Sequence, residues 1–323
     1  MSVKFGIIGL GGISNRFAKV LNKAEGVELE AVASREMARS REFAEKYNSK
    51  KAYDNYRDLI NDREVDVIYV GLTHNFHYEI VKQCLNSGKG VLCEKPFVTN
   101  KKDAEELAAL AKEKNVLLME AMWTRFIPAF KKAKEWIATG KIGNAKLVEA
   151  SFAFKSEFDP ESRLFNPKLA GGGLYDVGVY SIEFTTGILG RNPEKVTGLA
   201  TFCPSGVDDL AVINMSFKEN VLASLSCGLS VRTNNDAKIF GTGGKIVVYN
   251  FYDSRKCELY DEADNLLESF QEEHEDGFIY QIEHFRDLFN DKKTESDIIP
   301  LEDTVACAGI FDELKKQWGM DRD

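Results

Sequence analysis

The chain has 323 residues, 44% hydrophobic and 29% charged, with a formal net charge of −9. That is room for roughly two domains of about 150 residues each, with an apolar content that can fill both cores. An acidic balance of this size, with no basic face, excludes nucleic acid as a general partner, and no apolar run approaches the roughly 18 residues of a membrane span.

From the N-terminus, Met1-Ser2-Val3-Lys4-Phe5 runs straight into a strand-like stretch, Val3–Ile8, without a charged and apolar leader. Together with six scattered cysteines that form no CxxC pair (Cys84, Cys93, Cys203, Cys227, Cys257 and Cys307), this predicts a cytoplasmic protein with reduced thiols. Gly9-Leu10-Gly11-Gly12-Ile13-Ser14 follows the strand and opens an amphipathic stretch with Phe17, Val20 and Leu21 on one side. The first glycine permits a tight turn, and the second lets the backbone approach a pyrophosphate at a helix N-terminus. Ser14 stands where such turns carry Gly or Ala, a mild departure, since serine is still small enough for close helix–strand packing. Gly9, Gly11, Gly12 and Ile13 are therefore expected to hold a dinucleotide.

The second strand, residues 29–33, ends in Ser34-Arg35, with Arg39 one helical turn on. A hydroxyl and guanidinium groups, in place of the carboxylate that binds a ribose diol, suit a 2′-phosphate and point to NADP. Glu36 keeps NAD possible. A helix over Met37–Tyr47 follows, then a continuous apolar run at residues 65–70, the pattern of a strand buried on both faces. Beyond it lie Thr73, His74, Asn75 and His77. The two histidines have no accompanying ligand set, so no metal is expected. A helix over residues 76–85 stops at Asn86-Ser87-Gly88. The strand at residues 90–93 delivers Glu94-Lys95-Pro96 to a carboxyl end, where open α/β sheets place ligands. A helix over 102–114 and a strand over 116–119 complete a βαβ series with a parallel sheet, a Rossmann dinucleotide-binding domain spanning residues 1–121.

The pattern then changes. A helix at residues 128–139 leads into strand-like runs at 146–154, 196–202, 210–217, 221–229 and 246–249, joined by short polar turns. One helix, residues 174–189, interrupts them, and two more, over Phe278–Asn290 and residues 302–318, follow. Residues 122–323 are expected to form an α+β domain with a mostly antiparallel open sheet. The interrupting helix opens with Gly171-Gly172-Gly173-Leu174-Tyr175-Asp176-Val177-Gly178-Val179-Tyr180, which places Asp176 and Tyr180 four apart.

The Gly-rich turn, the Glu-Lys-Pro strand end and this second Gly-rich helix start together resemble the glucose–fructose oxidoreductase/inositol dehydrogenase (Gfo/Idh/MocA) family across essentially the whole chain. Many members carry His where this chain has Tyr180. That Tyr, with Met119-Glu120-Ala121-Met122-Trp123-Thr124-Arg125-Phe126, is similar to the dimeric dihydrodiol dehydrogenase branch, which includes NADP-xylose dehydrogenases. The resemblance implies hydride transfer between a nicotinamide and a sugar, polyol or vicinal diol. It implies Tyr180 as acid/base, Lys95 as the cation beside it, and Asp176 to orient Tyr180 or a substrate hydroxyl. A free tyrosine titrates near about 10, and a neighbouring ammonium favours its phenolate. The resemblance also places Thr73, Asn75, His77, Glu94 and Lys95 along the cofactor and implies a homodimer or higher homo-oligomer. Trp123, Arg125, Phe158, Arg163 and Phe165 offer aromatic and cationic groups for the substrate, and equally for a core or an interface. Two other functions remain: a lyase or glycosidase that keeps its nicotinamide bound, and a dinucleotide-sensing regulator.

Overall fold

In the computed structural model, which describes residues 2–320, the chain divides into two compact units. Residue 1 and residues 321–323, the outer ends of the two expected domains, lie outside the described residues. The first unit takes the chain up to residue 98, then 102–121 and 278–305; the second takes 99–101, 122–277 and the chain from 306 on.

Six strands build the first unit: β1 (Val3–Ile8), β2 (Val27–Ala33), β3 (Lys51–Tyr53), β4 (Val67–Val70), β5 (Gly90–Glu94) and β6 (Leu118–Ala121). They form one sheet in the order β3-β2-β1-β4-β5-β6, and every neighbour is parallel. The crossovers are α1 (Gly12–Leu21), α2 (Met37–Tyr47), α3 (Tyr56–Ile60), α4 (His77–Asn86) and α5 (Lys101–Lys114). Every residue of β4 and β5 is buried, as expected of strands covered on both faces. Phe17 of α1 stacks on Tyr69 of β4 with ring centroids 3.7 Å apart. Burying a side chain of that size contributes roughly 1.5–3 kcal/mol. The strand order reverses between β1 and β4, and at such a switch point the carboxyl ends leave a crevice for a ligand.

Three features differ from the sequence expectation. The edge strand β3 and the short α3 were not foreseen, because Lys51–Tyr53 is too short and too polar to show a period. The last strand runs two residues later than expected. The helix Phe278–Asn290 folds with the first unit, so a single cut after residue 121 does not divide the chain. Its apolar face explains why: Phe285 lies 5.9 Å from Phe5, and the Arg16 guanidinium sits 4.2 Å over the Phe278 ring.

The second unit contains α6 (Pro128–Ala138), β7 (Ala145–Ala153), α7 (Val179–Leu189), β8 (Lys195–Phe202), β9 (Asp208–Phe217), β10 (Val221–Gly228), β11 (Ala237–Gly241), β12 (Gly244–Tyr249), β13 (Lys256–Tyr260) and β14 (Leu266–Gln271). The eight strands form one sheet in the order β14-β13-β12-β11-β7-β10-β9-β8, antiparallel except where β7 meets β10. Side chains of one face, among them Val148, Phe152, Ile213, Met215, Leu225 and Cys227, are buried, with α7 packed on β7 and β10 and α6 on β12, β13 and β14. The helix α7 has no polar face and is buried almost throughout, which its sequence VYSIEFTTGIL requires. The opposite face of the sheet is open and carries Glu149, Asn214, Val212 and Leu222, with Leu199 81% exposed. Strands β11, β13 and β14 escaped the sequence reading because charges interrupt each apolar run, as in Lys256-Cys257-Glu258-Leu259-Tyr260. No helix among the described residues is long and apolar enough to cross a membrane.

Candidate active site

In the first unit the strand ends enclose a cleft of about 240 Å³ lined by Gly9, Leu10, Gly11, Ser34, Arg35, Glu36, Arg39, Tyr56, Gly71, Leu72, Thr73 and Phe76. Gly9 has φ +85°, and a Cβ there would lie 2.6 Å from Leu72 Cδ2 and 2.8 Å from the Gly71 carbonyl oxygen. Only glycine fits that turn. Gly11 and Gly12 are different: a Cβ on either would meet no atom within 4 Å. The start of α1 thus has open space beside it, and no acidic residue occupies the helix's first turn to compete for its N–H groups. Ile13 follows within that first turn. Donors, dipole and room together fit a pyrophosphate. Ser14 explains its own departure from the glycine pattern. Its hydroxyl donates to the Gly9 carbonyl and fills the place that a Gly71 side chain would take, 2.2 Å from an added Cβ.

At the end of β2 the Ser34 hydroxyl is committed to its own turn. It accepts the Glu36 N–H at 3.2 Å, lies 2.8 Å from the Glu36 carbonyl, and pairs with Ser40 Oγ at 2.9 Å. Arg35 and Arg39 are exposed at the cleft, and Arg39 donates to the Leu10 carbonyl at 2.8 Å, tying the strand end to the Gly-rich turn. Glu36 lines the same cleft. Thr73 donates to Asn75 Oδ1 at 2.8 Å in the loop after β4.

The end of β5 holds the Glu-Lys-Pro segment. Glu94 is buried and accepts the Tyr69 hydroxyl at 2.6 Å and the Lys95 N–H at 3.2 Å. Burial pushes its carboxyl above the ordinary 4.5, while the Tyr69 hydrogen bond and the Lys95 and Arg16 charges oppose the rise. His77, expected beside the cofactor, is instead fully buried. Its Nδ1 lies 3.0 Å from the Pro96 carbonyl and 3.2 Å from that of Phe97, and its Nε2 lies 3.1 Å from that of Leu72. The ring is a strut between the loop after β4 and the turn carrying Lys95. Burial holds its pKa below the ordinary 6.5, against the pull of those carbonyls.

In the second unit the Gly-rich start opens a π-helical turn, Leu174–Gly178, that runs into α7. Asp176 is buried and paired with Arg163, Nη1 to Oδ1 at 2.8 Å, and the Arg163 side chain stays 55% exposed. The Tyr180 oxygen accepts the Trp123 indole N–H at 3.0 Å. Around the phenol stand Phe152, with centroid 5.3 Å away, and Tyr252, 6.1 Å away, each edge-on, and these two rings stack on one another at 4.1 Å. Phe152 and Tyr252 were not among the sequence candidates; the signal available was an aromatic residue near the end of a strand and just beyond another. Phe158 is 44% exposed and meets Phe165 edge-on at 5.3 Å. Arg125 does not belong to a substrate surface. It is 1% exposed and locked to α7, with Nη2 2.6 Å from Glu183 Oε2, Nη2 2.8 Å from Thr186 Oγ1, and Nε donating to the Glu183 carbonyl at 3.0 Å. A buried guanidinium must be paired in this way, and the pairing occupies it. Among the described residues no His, Cys, Asp and Glu cluster could hold a metal.

Residues 3–122 match the model of an oxidoreductase family with an NAD-binding Rossmann fold, and residues 130–247 match the GFO/IDH/MocA C-terminal domain. The chain belongs to the GFO/IDH/MocA oxidoreductase family. Curated relatives include the trans-1,2-dihydrobenzene-1,2-diol dehydrogenases of Xenopus laevis, 34% identical across 99% of each chain, and Mus musculus, 32% identical across 99% of this chain and 98% of that one. Among solved structures, a 3-ketoreductase from Actinomadura kijaniata in complex with NADP and TDP-benzene shares the fold with a TM-score of 0.88, 24% identity and 98% coverage of each chain. An aldose-aldose oxidoreductase from Caulobacter crescentus does so with a TM-score of 0.89 and 20% identity, covering 100% of this chain and 99% of its own. As a GFO/IDH/MocA member, the chain is a nicotinamide-dependent oxidoreductase.

Proposed function

We propose that this GFO/IDH/MocA member is an NADP-preferring dehydrogenase that oxidises a vicinal diol or sugar carbinol, and reduces the matching carbonyl. The observation that carries the reading is the Tyr180 hydroxyl. Its oxygen is fixed by the Trp123 indole N–H, and the aromatic rings of Phe152 and Tyr252 stand edge-on beside the phenol. The names of the relatives, dihydrobenzene-diol dehydrogenases, support the same substrate class.

The open N–H groups of the Gly9–Ser14 turn bind the pyrophosphate, and Arg35 and Arg39 receive the 2′-phosphate. Thr73 at the cleft and Asn75 beside it flank the cofactor, and His77 and Glu94 hold the segment that presents Lys95. Lys95 supplies the ammonium of the reaction and hydrogen-bonds the substrate oxygen, and a positive charge of this kind favours a phenolate. Tyr180 takes the hydroxyl proton, and Asp176, braced by Arg163, orients the substrate or the phenol. A nicotinamide dinucleotide held by the Gly9–Ser14 turn would supply the hydride acceptor for the carbinol carbon.

Oxidation of a panel of vicinal diols and sugars, followed by NADPH absorbance, tests this. Lys95→Met and Tyr180→Phe should each lower kcat by about 10²–10⁴-fold, and near-wild-type turnover in a folded variant overturns its role. A higher kcat/KM with NAD than with NADP overturns the 2′-phosphate assignment. The chain also works as a cytoplasmic homodimer in this reading. The support is the open, partly apolar face of the second unit's sheet and six free thiols, five of them buried. A monomer by light scattering at micromolar concentration overturns the dimer.

A further inference from the structure

The glycines at 171–173 resemble a phosphate-binding turn, yet their surroundings are protein. A Cβ on Gly172 would lie 2.3 Å from Asp208 Oδ1, and one on Gly173 would lie 3.2 Å from Asp208 Oδ2 and 3.2 Å from the Gly228 Cα. Gly172 also has φ +124°, and an added Cβ on Gly171 would lie 2.6 Å from the Leu164 carbonyl oxygen. Asp208 itself is buried at the start of β9, a strand held on both sides by β8 and β10. Its Oδ2 accepts the Leu174 N–H at 2.6 Å, and the Gly173 N–H also donates to the carboxylate.

We infer that Asp208 is a positioning residue for the reaction: its buried carboxylate fixes the N-terminus of the helical run that carries Asp176 and Tyr180. The inference rests on the reading that Tyr180 is the acid/base. Leu174 is two residues before Asp176 and six before Tyr180. A carboxylate that accepts the first free N–H groups of a helix both caps it and meets the positive end of its dipole. The other end of the π-helical turn is held as tightly, since a Cβ on Gly178 would come within 2.9 Å of Cys227 Sγ on β10. Two adjacent strands therefore set the rise and rotation of the run before α7 begins. The cost of that arrangement is an ionised group without water. Burial pushes the Asp208 carboxyl up to about 7, and the backbone donors only partly offset it. A carboxylate kept at such a cost is retained for its geometry.

Steady-state kinetics with the intact chain test the inference, with Tm and the NADPH dissociation constant recorded for every variant. Asp208→Asn keeps an acceptor oxygen for the Leu174 N–H, and Asp208→Leu removes it. A displacement of about 1 Å at a reacting group costs on the order of 100-fold. Asp208→Leu should therefore lose about 100-fold in kcat of the folded protein and Asp208→Asn about tenfold. KM should change less than kcat, and NADPH affinity should hold, since those contacts lie in the first unit. Wild-type kcat per folded molecule in both variants, with only Tm lowered, makes Asp208 merely structural and overturns the inference. Should both variants fail to fold, Gly173→Ala is the second probe. It has ordinary helical φ and moves the cradle against Oδ2 without removing the carboxylate. A several-fold fall in kcat supports the inference, and unchanged kcat overturns it. Tyr180→Phe in the same assay separates the two levels. Full turnover there overturns the acid/base reading and the positioning role with it. Lost turnover there, beside full turnover in the Asp208 variants, overturns the inference alone.

Discussion

Two helices in this chain begin with a cluster of glycines, and the clusters do opposite things. Around Gly11 and Gly12 no other part of the protein comes within 4 Å of an added Cβ, so the start of α1 has open space beside it. Around Gly171, Gly172 and Gly173 the same space is filled by the Leu164 carbonyl and the Asp208 carboxylate, so the N–H groups serve the protein's own anion. Both clusters rest on one property, an anion site at a helix N-terminus. In the proposed function the first anion is brought by the cofactor, whereas the second is supplied by β9. A glycine motif therefore marks close approach of the backbone to something, and only its surroundings say to what.

The sharpest way to break that contrast is to add a methyl group at each cluster. Gly172→Ala forces a side chain into φ +124° and against Asp208 Oδ1. Backbone strain and overpacking each cost about 1–3 kcal/mol. Calorimetry should find the variant destabilised by about 3 kcal/mol, roughly 10 °C in Tm for a domain of this size. Little change in Tm would mean that the cradle around Asp208 is loose. Gly11→Ala should do the reverse. The residue has φ −82° and open space, so stability should stay within about 0.5 kcal/mol of wild type. The methyl group then stands where the pyrophosphate must come. NADPH titration should show affinity reduced by about 10–100-fold, which is about 1.4–2.8 kcal/mol. Unchanged NADPH affinity would remove the pyrophosphate from this turn.

The same contrast explains what was legible in the sequence. The first turn, Gly9 to Ser14, has its strand and helix as immediate neighbours in the chain, so the motif and its context were read together. The apolar runs of β4 and β5 were legible for the same local reason. The partners at the second cluster are remote. Asp208 lies 34 residues from the Leu174 N–H that it accepts. Trp123 lies 57 from Tyr180, and Phe152 and Tyr252 arrive from β7 and from the turn after β12. No local period announces any of them. Arg125 stayed open between substrate, core and interface in the sequence, because the Glu183 that occupies it is 58 residues away. His77 was expected along the cofactor; its ring, at the start of α4, turns inward to the carbonyls of Leu72, Pro96 and Phe97, contacts that lie up to 20 residues along the chain.

The smallest expected effect is a slope, and it sharpens the comparison because a bound phosphate can leave and Asp208 cannot. Burial raises the Asp208 carboxyl from its ordinary 3.8 to about 7 in the folded chain. The ionisable groups beside it are Asp209, whose charge adds to the rise, and the buried Cys227 thiol, which burial and Asp208 both hold protonated. Between about pH 4 and 7 the folded state then keeps a proton at Asp208 that the unfolded state has released. Stability follows the number of protons bound in the unfolded state minus that in the folded state, so this group lowers stability as pH rises through that window. Its contribution is full below the unfolded value and gone above about 7. The slope cannot exceed about 1.4 kcal/mol per pH unit for one proton. Carboxylates such as Glu258, held at about 2 chiefly by its hydrogen bond from Lys256, pull the other way at lower pH. The wild-type curve therefore mixes both signs, and the difference from Asp208→Asn isolates one. Denaturant unfolding from pH 4 to 8 should show Asp208→Asn gaining on the wild type as pH rises to 7 and running parallel to it above. Parallel curves throughout would mean that the carboxylate meets enough backbone donors to ionise at its ordinary pH, and the second glycine cluster would then hold its anion as comfortably as the first is built to hold a phosphate.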